Sequence, residues 1–105
     1  MELNELSELL KALAVPSRLK IIHLLRTRPY CVNALTKRLD ISQPAVSQHL
    51  AVLKRVGLVE ASKVGTMVHY RVSAGRFDGV LAALDGIGVP EARDAEAVAA
   101  VRSGR

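Results

Sequence analysis

CVNALTKRLDISQPAVSQHLAVL, residues 31–53, contains two short helical patterns separated by a three-residue break. Val32, Leu35 and Leu39 are spaced to line one face of a helix over 32–39. Asp40-Ile41-Ser42 interrupts that pattern. Ser42 is a good N-cap, and Gln43 and Pro44 suit a first helical turn, which tolerates proline. The following helix buries Val46, Leu50 and Leu53 and leaves Pro44, Ala45, Gln48, Ala51 and Arg55 on the opposite face, with Ser47 at its edge. Short side chains on that face let the backbone approach a base edge, and a glutamine carries the donor–acceptor fork that reads one. Two helices joined in this way form a helix-turn-helix whose second helix suits a DNA major groove.

Outward from this stretch, leucines at 3, 6, 9, 10 and 13 predict an amphipathic helix over 3–14. Pro16-Ser17 breaks it, and Ser17 is expected to cap a second helix reaching about Arg26. Ile21, Ile22, Leu24 and Leu25 make that helix apolar on most sides and place it in the core. Thr27-Arg28-Pro29 reads as a loop, and Gly57 ends the helix-turn-helix as a C-cap. Then the period changes to two. Val59, Ala61 and Lys63 alternate with Glu60 and Ser62. Beyond Gly65-Thr66, Val68, Tyr70 and Val72 alternate with Met67, His69 and Arg71. Such runs around a glycine-led pair predict a β-hairpin. A last amphipathic helix over 76–87 carries Phe77, Val80, Leu81 and Leu84. The fold is thus expected to be mainly α: a winged helix-turn-helix of four helices, a β-hairpin wing and a fifth helix over 1–88. Residues 89–105 are expected to be a partly flexible extension in which 90–101 either forms a short alanine-rich helix or frays.

The chain has 105 residues, a formal charge of +5 and one cysteine. That length gives one domain, and its basic balance favours an anionic partner without proving one. Half the residues are hydrophobic, but only Tyr30, Tyr70 and Phe77 are aromatic, so the core is aliphatic and some apolar surface is left for a subunit interface. No apolar run is long enough to span a membrane. A lone cysteine and the absence of a basic-then-apolar leader suit a reducing cytoplasm.

Four segments together resemble the arsenic- and metal-responsive winged-helix repressors of the ArsR type. They are LLKALAVPSRLKIIHLL, CVNAL, ISQPAVSQHLAVLKRVGLV and GTMVHYRV, and the resemblance runs from about Leu9 to Val72. It implies a homodimer packed through the first and last helices, and repression of transcription until an effector lowers DNA affinity. The family's thiolate site needs two cysteines around a valine, whereas this chain has Cys31-Val32-Asn33. Soft metals and trivalent arsenic require two or three thiolates. The family's other site uses Asp and His on the last helix, and no histidine follows His69. No metal site and no cofactor are therefore expected.

Within this frame the candidate DNA contacts are Ser42, Gln43, Pro44, Ala45, Ser47, Gln48, His49 and Ala51 on the reading helix. Lys37, Arg38, Lys54 and Arg55 flank it, and Lys63, Thr66, His69 and Arg71 come from the wing. The basic members can position phosphates or serve as ordinary surface charge. His49 either meets a phosphate or packs against the wing. Cys31 reads first as a small apolar filler; Arg28 and a helix start beside it keep a thiol sensor open. His23 reads as a core or edge histidine. Ser17-x-x-Lys20 matches an acyltransferase pattern by chance, since no companion motif accompanies it. The chain reads as a non-enzymatic regulator binding a roughly palindromic double-stranded DNA operator, with an unknown effector. The rivals are a winged-helix protein-interaction module and an oxidant-responsive regulator acting through Cys31.

Overall fold

Helix α1 (Leu3–Leu13) ends just before Pro16, and α2 (Pro16–Leu25) begins on it. Proline takes the first helical position because its fixed φ suits a helix and its missing N–H would have had no partner there. Val15 is therefore the N-cap, without a side-chain bond, and Ser17 lies inside the first turn. The expected Ser17 cap is thus corrected. The computed structural model describes residues 1–88; the helix expected near 90–101 lies outside the described residues.

After α2 comes β1 (Tyr30–Cys31), followed directly by α3 (Val32–Leu39) and α4 (Gln43–Arg55). Strands β2 (Val59–Val64) and β3 (Met67–Val72) form the hairpin, and α5 (Ala74–Gly86) starts two residues earlier than its apolar pattern suggests. Val59 pairs with Val72 and Val64 with Met67, leaving Gly65-Thr66 as a two-residue turn. Gly65 has φ +63° and Thr66 no positive φ, the pattern of a hairpin turn with glycine at its first central position. Between the expected 27–29 loop and α3 lies the short β1, so the sheet has three strands in the order β1-β3-β2.

The core lies where α2, α3 and α4 meet the base of the sheet. Ile21, Leu35, Val46, Leu53 and Leu58 have no exposed surface, and Leu9 and Leu50 almost none. Each such leucine contributes roughly 1.5–3 kcal/mol relative to an exposed one. The end of α4 is locked into this core by backbone geometry. Gly57 at φ +81° turns the chain, so that its amide reaches the Lys54 carbonyl (2.9 Å) and the Leu58 amide reaches that of Leu53 (2.9 Å). This is a Schellman closure, and Leu53 and Leu58 supply its buried apolar contact.

The terminal helices divide their apolar residues. Leu6, Leu9 and Val80 are buried within the protomer, whereas Leu3, Leu81, Leu84 and Ile87 are exposed. Leu6, Leu9 and Val80 thus belong to the protomer's own core, not to surface that a second copy could cover. No helix among the described residues is long and apolar enough to cross a membrane.

Candidate nucleic-acid interface

The reading helix is fixed at both ends and on its inner face. At its start the Ser42 Oγ accepts the Ala45 amide at 3.2 Å, so Ser42 acts as the cap. The inner row Val46, Leu50 and Leu53 anchors it, while Pro44, Ser47, Gln48, Ala51 and Arg55 form an exposed stripe. Ser47 belongs fully to that stripe, and Ala45 is half-buried beside it. The stripe is shallow because Pro44, Ser47 and Ala51 are small, so Gln48 projects beyond its neighbours. Gln43 is exposed next to Pro44, and Lys54 with Arg55 supplies positive charge at the other end.

The turn before α4 contains Asp40 at φ +54°, a conformation in which Asp is enriched among non-glycine residues. It closes α3 by donating its amide to the Thr36 carbonyl at 3.0 Å. Lys37 and Arg38 are exposed in the last turn of α3. Arg38 is held against Tyr30: its guanidinium lies 5.5 Å from the ring centroid and donates to the Tyr30 hydroxyl at 3.5 Å. Arg28 covers the same ring at 4.6 Å and so stacks on Tyr30.

His49 is engaged by Arg18 of α2. Its half-buried ring accepts at Nδ1 from Arg18 Nε (3.2 Å), and Arg18 also donates to the Ala12 carbonyl at 3.3 Å. One guanidinium thus ties the end of α1 to the middle of α4. Partial burial, and then the charge of Arg18, hold the His49 imidazole below its ordinary pKa. At the far end of α4, Arg76 of α5 donates to the Val56 carbonyl at 3.2 Å and pairs with Glu5 at 3.0 Å. Neither arginine had a local sequence signal, since Arg18 and Arg76 act on residues 31 and 20 positions away.

The wing extends from this frame. Lys63 and Thr66 are exposed at its outer part, and Gln43 of α4 shares a hollow with Met67 and Val68 of β3. The two other wing candidates are engaged within the sheet. Arg71 pairs with Glu60 across the hairpin at 3.1 Å. His69 stands between Cys31 and Ser62 in register, with Nδ1 buried and no hydrogen-bond partner among the described residues.

Residues 15–61 match the family described as bacterial regulatory protein, arsR family. The HTH-type transcriptional repressor SmtB of Mycobacterium tuberculosis is 44% identical over 71 residues, 68% of this chain and 53% of that protein. The chain belongs to the arsR family. An ArsR-like transcriptional regulator from Rhodococcus superposes with a TM-score of 0.78 at 30% identity, covering 95% of this chain and 92% of that one. A homodimeric winged helix-turn-helix DNA-binding domain from Mycobacterium bovis gives 0.69 at 30% identity, over 81% and 79% of the two chains. The chain spans about half the length of its SmtB relative. As an arsR-family member it keeps the helix-turn-helix and wing. Cys31 is half-buried at the N-cap of α3, with Val32 and an exposed Asn33 after it.

Proposed function

We propose that this chain is a sequence-specific DNA-binding transcriptional regulator that works as a homodimer and represses until an effector releases it. The observation that carries this reading is the exposed stripe of α4. Small residues surround a projecting Gln48, the inner face is anchored in the core, and Lys37, Lys54, Arg55 and Lys63 lie around it. Such a stripe fits a major groove, with flanking cations on the phosphates. Two similar proteins support the same reading: SmtB is a transcriptional repressor, and the Mycobacterium bovis domain is a homodimer that binds DNA.

The dimer follows from surface left over after folding. Leu3 on α1 and Leu81, Leu84 and Ile87 at the other terminus are exposed large aliphatics, and Leu3 and Ile87 line one hollow with Leu6 and Leu10. A second copy covers such a face, and its two-fold axis places two reading helices on a roughly palindromic operator. Sedimentation at micromolar concentration is expected to show a dimer. Binding to an inverted-repeat duplex, followed by fluorescence anisotropy, tests the rest. With about four phosphates neutralised per subunit, log K against log [salt] has a slope of about −7. A slope near zero removes the nucleic-acid reading.

A further inference from the structure

Between α2 and α3 lies an open cavity of about 460 Å³, lined by Leu19, Lys20, His23 and Leu24 from α2 and by Arg38 and Leu39 from α3. Three leucines make the floor, Leu19 is 52% exposed, and every polar side chain at the edge is cationic or can become so. Lys20, His23 and Arg38 form no ion pair among the described residues. Arg38 is held at the rim by Tyr30, whose hydroxyl it meets at 3.5 Å, so one cation is already oriented before anything binds.

We propose that this cavity binds a small amphipathic organic anion, with its apolar chain on Leu19, Leu24 and Leu39 and its carboxylate among Lys20, His23 and Arg38. The volume falls in the range of small-molecule sites. A leucine floor gives nothing to a DNA backbone. A second copy seated here by two-fold symmetry would bring the same cations face to face, and a charged chain end of one small molecule avoids that repulsion. The site also joins α2 to the first helix of the helix-turn-helix, so an occupant that spreads the two helices moves α3 and, through the short 40–42 turn, α4. This second part, that occupancy lowers operator affinity, rests on the DNA-binding reading above.

Octanoate is the probe, compared with 1-octanol and inorganic phosphate in calorimetric titrations of the full chain without DNA. Saturable binding of one octanoate per protomer is expected, with weaker binding of both comparators and methyl NMR shifts at Leu19, Leu24 and Leu39. Lys20→Glu replaces an attraction by a repulsion and is expected to weaken octanoate about tenfold. Lys54→Glu makes the same net charge change outside the cavity and is expected to retain it. Both positions are exposed, and matched melting curves check that the variants fold. Equal binding of octanol, shifts mapping elsewhere, or undiminished binding by Lys20→Glu overturns the site. An operator titration with octanoate then separates the two claims. Operator binding that octanoate leaves unchanged overturns the effector role, whereas no operator binding at all overturns the regulator reading and leaves the calorimetry to decide the site.

Discussion

Replacing Gln48 by alanine separates base reading from folding more cleanly than any other change on α4. The side chain is exposed and makes no hydrogen bond within the described residues, and alanine is the better helix former. Stability is therefore expected to stay within about 0.5 kcal/mol of the parent. On DNA the expected loss is much larger. A glutamine pairing bidentately with a base edge discriminates by about 1–3 kcal/mol. A homodimer presents two copies, so the loss on a palindromic operator is about 2–6 kcal/mol, or roughly 30-fold to 10⁴-fold in Kd. Anisotropy titrations at one fixed salt concentration, on the operator and on a scrambled duplex, provide the measurement. Affinity for the scrambled duplex is expected to change little, because the cations proposed to meet phosphates, Lys37, Lys54 and Arg55, are untouched. Equal losses on both duplexes would refute base reading by Gln48 and reassign it to the backbone.

Gly57→Ala is expected to cost about 1–2 kcal/mol, the strain of a left-handed residue with a Cβ. That atom would stand 3.5 Å from Arg76 Nε, an ordinary contact, so urea denaturation showing a cost well above about 3 kcal/mol would mean that the Arg76 clamp is also lost. For His49, the folded protein holds the imidazole pKa below its unfolded value, so the unfolded chain binds the proton more readily. Stability is therefore fully present above the ordinary histidine value of about 6.5 and falls as pH drops below it. His49→Gln is expected to flatten that part of the profile, and an unchanged profile assigns it to other groups. Zinc, cadmium or arsenite at low micromolar concentration is expected to leave the operator complex intact, because Asn33 stands where a second thiolate is needed. Cys31→Ser is expected to bind DNA normally; metal-driven release that this variant abolishes would show that Cys31 gathers further ligands.

The helices, the reading stripe and the hairpin register were legible in the sequence because each is set by residues close together in the chain. Periods of 3.6 and 2 place Val46, Leu50 and Leu53 on one face and pair Val59 with Val72. Ser42 and Gly57 carry local end signals, and Gly65 supplies the φ its turn requires. The exposure of most candidates on α4 was legible for the same reason, since it follows from the helix's buried row.

Tertiary structure decided what depends on partners far along the chain. A two-residue strand such as Tyr30–Cys31 has no period of its own and exists only because β3, some 40 positions later, offers its edge. Neither the Arg18–His49 bond nor the Arg76 clamp leaves a local trace, and His69 is drawn into the sheet beside Cys31 while Arg71, still exposed, pairs with Glu60 across the hairpin. The leucines of α1 and α5 show the same limit. Periodicity marks an apolar face but cannot divide it, and only the shared core sends Leu6, Leu9 and Val80 inward while Leu3, Leu81 and Leu84 remain at the surface. Local backbone preference is encoded residue by residue, whereas the choice of partner is fixed by the folded core as a whole.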